Sequence, residues 1–141
     1  MEFNTKTEAE RRWQLSRLPA VMTIHLKLFS FTSLERAKVP AAVACPFELD
    51  VKQWCTDDCE ESDRLYQLVG IVVHEGSSAS SGHYFSYISS RLVNRDDQSE
   101  RYWYCFDDSD VTSLSDQDLD RSMFSQIQST KTSYLLFYQR D

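Results

Sequence analysis

The chain has 141 residues, of which 41% are hydrophobic and 26% charged, with only three glycines and three prolines; it reads as one globular domain with its own core, not a disordered chain or a linker. Its formal charge of −7, from 15 Lys and Arg against 22 Asp and Glu, argues against general nucleic-acid binding, which needs basic side chains to displace phosphate counterions. No apolar run reaches the ~18–20 residues that span a bilayer, and the N-terminus lacks a signal-peptide pattern. An intracellular protein, nuclear or cytoplasmic, with no membrane or nucleic-acid partner is expected.

Residues 4–17 form a charged lead-in. From Met22 to Leu28, apolar Met22, Ile24, Leu26 and Leu28 alternate with Thr23, His25 and Lys27, the period of a strand with one buried face. Residues 32–44 read as a connection, Pro46 to Val51 as a short strand, and the acidic stretch 52–64 as a loop. Leu65 to His74 is too densely apolar for a half-exposed strand and predicts one covered on both faces. Gly76-Ser77-Ser78-Ala79-Ser80-Ser81-Gly82 carries no core-forming side chain and predicts a mobile loop. Strands follow at His83 to Ile88 and Arg101 to Phe106, joined by a polar loop from Arg91 to Glu100. Residues 115–128 predict a helix, with Ser115 as N-cap and Asp116 and Asp118 in its first turn. Tyr134 to Tyr138 closes the chain as an aromatic strand. The fold class is α+β, mainly antiparallel β.

The four cysteines are Cys45, Cys55, Cys59 and Cys105. No two have Cys-x-x-Cys spacing, and without a secretory signal they read as reduced thiols. No metal site and no cofactor are expected. His25 beside Lys27 and His74 at the end of a buried strand lack a second ligand at metal spacing and read as structural.

The strands at His83 and Asp107 are sequential, so an antiparallel hairpin is the default. With the connection centred near Arg95, paired residues sum to about 190, which sets His83 opposite Asp107, or opposite Asp108 after a one-residue slip. A carboxylate that accepts from one imidazole nitrogen fixes the tautomer and leaves the other nitrogen free to take a proton from a thiol. A histidine that merely caps a strand beside an acid gives the same pattern.

Four motifs in order extend the argument. Leu18-Pro19 with His25-Leu26-Lys27-Leu28-Phe29, Ser81-Gly82-His83-Tyr84, Trp103-Tyr104-Cys105-Phe106-Asp107-Asp108-Ser109 with Val111, and Tyr134-Leu135-Leu136-Phe137-Tyr138 resemble the "LPxxLxxHLKRF", "GGHY", "WYxFDDxxV" and "AYxLFY" segments of the ubiquitin-specific proteases. The resemblance implies a papain-like fold of thumb, palm and fingers. Residues 1–17 would be a lead-in, and 18–141 the palm with part of the fingers. It implies His83 as general base and acid and Asp107 as its orienting partner, with Asp108 in reserve. Gly82, Tyr84, Ser81 and Gly76 would be substrate-binding, and 76–81 a blocking loop that moves when ubiquitin docks. Basic surfaces of ubiquitin would suit the acidic chain. Thr7-Glu8-Ala9-Glu10-Arg11 and Ser80–Tyr84 resemble one nuclear subfamily, which implies a WD-repeat activator as a further partner.

The departures are also informative. Leu28 stands where the family has Arg, and Ser81 replaces the first Gly of the His motif. The Asn-x-Gly-x-x-Cys segment of the family's thumb and the paired zinc cysteines of its fingers have no counterpart in these residues. A thiolate held against a histidine is the required nucleophile, so the chain reads as a fragment or partial product whose partner is an N-terminal Cys-bearing half. The expected function is the His-bearing part of a deubiquitinase acting on ubiquitin and ubiquitinated proteins. The alternatives are an inactive ubiquitin-binding adaptor and an unrelated β-rich interaction domain; retention of His83 and Asp107 favours the enzyme.

Overall fold

A computed structural model of the chain describes residues 9–31, 36–39, 43–60, 63–78, 81–93, 101–124 and 130–140. Its elements are β1 (Val21–His25), β2 (Phe29–Phe31), β3 (Arg36–Lys38), β4 (Glu48–Asp50), β5 (Leu65–Ser78), β6 (Ser81–Ser89), α1 (Ser90–Val93), β7 (Tyr102–Asp107), β8 (Asp110–Ser115), α2 (Asp116–Phe124) and β9 (Lys131–Gln139). Among the described residues, seven strands form one antiparallel sheet in the order β1-β9-β5-β6-β7-β8, with β4 also paired to β5. β2 and β3 form a separate ribbon. The family architecture expected from sequence, a mainly antiparallel sheet with few helices, is what the chain adopts.

β5 organises the sheet. Its 14 residues pair along one edge with β9 and along the other with β4 and then β6. No residue from Tyr66 to Gly76 is exposed, in keeping with the dense apolar run. Side chains alternate across a strand, so the register sorts them into two faces. One face carries Ile71 and Val73, Phe85 and Tyr87, Trp103, and Leu136 and Tyr138, all buried. Leu119 of α2 belongs to the same core, and the Tyr87 hydroxyl lies 3.4 Å from that of Ser122. Burying each of these large side chains contributes ~1.5–3 kcal/mol.

Two sequence expectations change at the hairpins. The loop expected at 76–82 is largely strand: β5 runs to Ser78, β6 begins at Ser81, and the two pair there across an irregularity. Residues 79 and 80 lie outside the described set. Small, polar residues marked a turn correctly but gave no measure of its length. The second change is β8, which sequence reading left unassigned. Asp107 and Asp110 close a hairpin around Asp108 and Ser109, and Asp108 takes φ +51°, a left-handed conformation that Asp tolerates better than most residues. In the connection expected at 32–44, Arg36–Lys38 forms β3. Residues 94–100 of the expected polar loop and 125–128 of the expected helix lie outside the described residues.

The helix start is as the sequence predicts. Ser115 Oγ accepts from the Asp118 backbone N–H at 3.2 Å and donates to the Asp118 carboxylate at 2.7 Å, which satisfies one of the helix's unpaired donors. Asp116 has a further role. Its carboxylate accepts from the indole N–H of fully buried Trp103 at 2.7 Å and from Arg101 at 2.7–3.0 Å through two nitrogens. Arg101 also lies over the Phe47 ring, 4.4 Å from its centroid. The carboxylate therefore ties α2, β7 and the segment before β4 together.

Asp116→Ala strands a buried indole N–H and a mostly buried guanidinium, so it is expected to cost about 3 kcal/mol. Ser115→Ala, which removes only the cap, is expected to cost about 1 kcal/mol. Thermal unfolding of the two variants measures both; equal losses would contradict the role given to Asp116.

Candidate active site

β6 and β7 deliver the histidine and the aspartate. The ladder pairs Ser86 with Phe106, Tyr87 with Cys105, Ile88 with Tyr104 and Ser89 with Trp103. Paired numbers sum to 192, two more than the sequence estimate. Continued by one step, that register sets Asp107 opposite Phe85, so His83 is its diagonal neighbour on the same face, within reach of a long side chain. The contact forms: His83 Nε2 hydrogen-bonds Asp107 Oδ1. A two-residue error in register keeps every side chain on its face. The pairing of residues was therefore misjudged, while the meeting of the two side chains was not.

An ionised carboxylate can only accept, so the ring N–H at Nε2 donates to Asp107, and Nδ1 is the nitrogen that gains or loses the titrating proton. The imidazole also stacks on Phe85, with ring centroids 6.3 Å apart. Both partners are partly open to solvent, with side chains 41% and 50% exposed. The hydrogen bond that His83 donates to Asp107 holds the imidazole above its ordinary range, partly opposed by desolvation, with the nearby charges of Asp107, Asp108 and Glu75 adding to the rise. The ion pair thus stabilises the folded chain below the ordinary imidazole pKa, and that contribution fades as pH rises through the raised value.

Asp108 makes the turn beside the pair and acts on His83 through space. His83, Asp107 and Asp108 together present one nitrogen and two carboxylate oxygens within 4.8 Å of one another, a set that can face a cation. Nε2, however, is already engaged by Asp107, which favours an acid–base pair.

The expected binding residues fall on both sides of the histidine. Gly82 and Tyr84 are exposed neighbours of His83. A Cβ on Gly82 would strike the His74 ring and lie 2.5 Å from the Glu75 carbonyl oxygen, and one on Gly76 would lie 2.6 Å from that of Ser81. The two glycines therefore let the ends of β5 and β6 approach closely. Ser81 joins this hairpin through its hydroxyl, 3.0 Å from that of Ser78. On the face opposite His83, the Tyr84 ring packs on buried His74 at 4.7 Å and on Tyr134 at 5.5 Å, and Tyr134 meets His25 at 4.7 Å. His25 and His74 both join this aromatic group.

None of the cysteines is placed to meet His83. Cys105 sits in the row of Tyr87, four residues along β6, which is roughly 13 Å at ~3.3 Å per residue. Cys45 donates towards Ser133 at 3.6 Å, in the row of Val73 and Phe85 and two strands away from β6. Cys55 and Cys59 are buried and donate to the carbonyls of Val51 at 3.3 Å and Leu15 at 3.2 Å. Burial raises the thiols of Cys45, Cys55 and Cys105, the reverse of what activates a nucleophile.

Sequence reading did not find Glu75 as the cross-strand partner of His83, because residues 76–82 were read as a loop. Treating that segment as a tight hairpin would have revealed it. Thr7, Glu8 and Ser80, which carry part of the subfamily resemblance, lie outside the described residues.

Asp107→Asn is expected to move the His83 titration, followed by ring-nitrogen NMR, to lower pH. Asp108→Asn is expected to move it less, since Asp108 acts through charge alone. A larger shift from Asp108→Asn would reassign the partner.

The family model described as "Ubiquitin carboxyl-terminal hydrolase" matches residues 2–138. The chain is 37% identical over 134 residues to the ubiquitin carboxyl-terminal hydrolase creB of Emericella nidulans, covering 94% of this chain and 16% of the relative. It is 29% identical over 132 residues to the probable ubiquitin carboxyl-terminal hydrolase 9 of Schizosaccharomyces pombe, covering 93% and 21%. Among solved structures it resembles the SAGA DUB module Ubp8/Sgf11/Sus1/Sgf73 bound to monoubiquitin, with TM-score 0.66 and 28% identity over 89% of this chain and 24% of that one. The chain spans about a sixth to a quarter of the length of these proteins. Motif order, sheet topology and the family match converge: the chain belongs to the ubiquitin carboxyl-terminal hydrolase family.

Proposed function

We infer that this chain supplies the general base of a thiol-dependent deubiquitinase and that a segment outside residues 1–141 supplies the nucleophile. The observation that carries the reading is the His83–Asp107 hydrogen bond, which commits Nε2 and leaves Nδ1 as the nitrogen able to exchange a proton. A thiol beside Nδ1 gives its proton to His83, and its sulfur attacks the carbonyl carbon of ubiquitin's last glycine. His83 then protonates the departing amine, leaving a thioester. Water attacks the thioester, His83 takes the proton, and the thiolate leaves as the carboxylate of ubiquitin is released. Asp107 stabilises the imidazolium in both halves of the cycle.

On this reading residues 18–141 are the palm with part of the fingers. Gly82, Tyr84, Ser81 and Gly76 flank the path of ubiquitin's C-terminal tail. Ubiquitin as the bound partner draws support from the similarity to Ubp8, whose structure holds monoubiquitin. The net charge of −7 suits a partner with a basic surface.

Release of a fluorophore from the C-terminus of ubiquitin tests the reading. The chain alone is expected to be silent. Mixed with the thiol-bearing half of a family catalytic domain it is expected to gain activity, which His83→Ala then lowers by about 10²–10⁴-fold. Release by the chain alone would mean that one of Cys45, Cys55, Cys59 and Cys105 is a nucleophile, and the division of labour proposed here would be wrong.

A further inference from the structure

Four side chains on four neighbouring strands form a row across one face of the sheet, at the end where the site lies. Lys131 of β9 pairs with Glu75 of β5, and Glu75 pairs with His83 of β6. His83 in turn meets Asp107 of β7. With His83 as imidazolium, the charges alternate along the row. Lys131 Nζ lies 3.6 Å from the Glu75 carboxylate and 5.1 Å from the centroid of the Phe85 ring, the same ring on which His83 stacks. Directly opposed residues have Cβ atoms roughly 5 Å apart, and Glu75 is directly opposed to His83.

That placement creates a hazard. Asp107 holds Nε2, and the reaction requires Nδ1 to stay open. A carboxylate on the adjoining strand is a strong acceptor for an imidazolium N–H, so an unrestrained Glu75 can cap the nitrogen that the thiol must reach. Lys131 opposes this by holding the Glu75 carboxylate.

We propose that Glu75 and Lys131 are positioning residues for His83: Glu75 supports the imidazolium from the strand opposite Asp107, and Lys131 holds the Glu75 carboxylate away from Nδ1. The inference rests on the reading of His83 as the base. Among the described residues, the charged groups that face His83 are Glu75 on β5, Asp107 on β7, Asp108 in the turn after β7, and Lys131 reaching from β9 by way of Glu75. His74 lies on the opposite face. Charge from Glu75 adds to the upward displacement of His83 already described.

The test uses Glu75→Gln, Lys131→Met and the double variant. Ring-nitrogen NMR of the 141-residue chain reads the His83 titration directly, whether or not the chain has activity. Glu75→Gln is expected to move the midpoint to lower pH and Lys131→Met to higher pH. The double variant is expected to follow Glu75→Gln. The opposed shifts should shrink as salt is added, because the row is partly exposed. In the enzyme assembled with its thiol-bearing half, Lys131→Met is expected to lower kcat/KM about tenfold, and adding Glu75→Gln to restore most of it. Shifts of the same sign, or none, would overturn the proposal. If the assembled enzyme proves inactive while the NMR shifts appear as expected, the fault lies with the assignment of His83 as base and not with the charge row.

Discussion

The diagonal contact between His83 and Asp107 depends on the register of β6 against β7, and most of the structure can be read as what holds that register. Neither side chain is buried enough to be fixed by packing around itself. Their positions come instead from residues further along the same strands. Tyr87 and Ser89 stand opposite Cys105 and Trp103, and Trp103 is locked by its indole N–H to Asp116. A slip of one residue would turn Trp103 out of the core and its neighbours into it. The geometry of the His83–Asp107 pair is therefore protected by the cost of exposing an aromatic core more than 10 Å away (about four residues of strand).

The hairpin of β5 and β6 sets the other side of the site. β5 is long enough to be paired along both edges, so its end remains part of the sheet where the histidine is placed. Gly76 and Gly82 allow the two strands to close there, since any side chain would collide with backbone or with the His74 ring. Asp108, with its positive φ, makes the corresponding tight turn after Asp107. Strained or side-chain-free positions thus bracket His83 and Asp107, as expected where backbone geometry serves a site.

Much of this was legible in the sequence, for physical reasons. Alternation in Met22–Leu28, the dense apolar run from Leu65, and the Ser115 cap each reflect local rules, and each marks an element that forms, although the first strand ends at His25, short of Leu28. The His83–Asp107 meeting could be anticipated because an error of two in register preserves side-chain facing. What escaped was set by tertiary structure. β8 is mostly exposed and lacks the alternation that marks a half-buried strand. The end of β5 is made of small polar residues that, out of context, favour a loop. Glu75 and Lys131 are far apart in the chain, and only the order of strands brings them to one row.

The electrostatics of the site bear on the kind of chemistry it can support. Acid–base catalysis works best when the pKa of the group lies near the operating pH. Here Asp107, Asp108 and Glu75 all raise His83 above the ordinary imidazole range, which shifts its balance towards the imidazolium. That state is a poor acceptor of protons but a good neighbour for a thiolate, whose own pKa falls beside a positive charge. Three of the chain's own thiols are displaced upward by burial, away from that condition. On the proposed reading, the imidazolium that these carboxylates stabilise is what an anionic sulfur would pair with, and a Glu75 carboxylate that reached Nδ1 would compete for that place with the same charge.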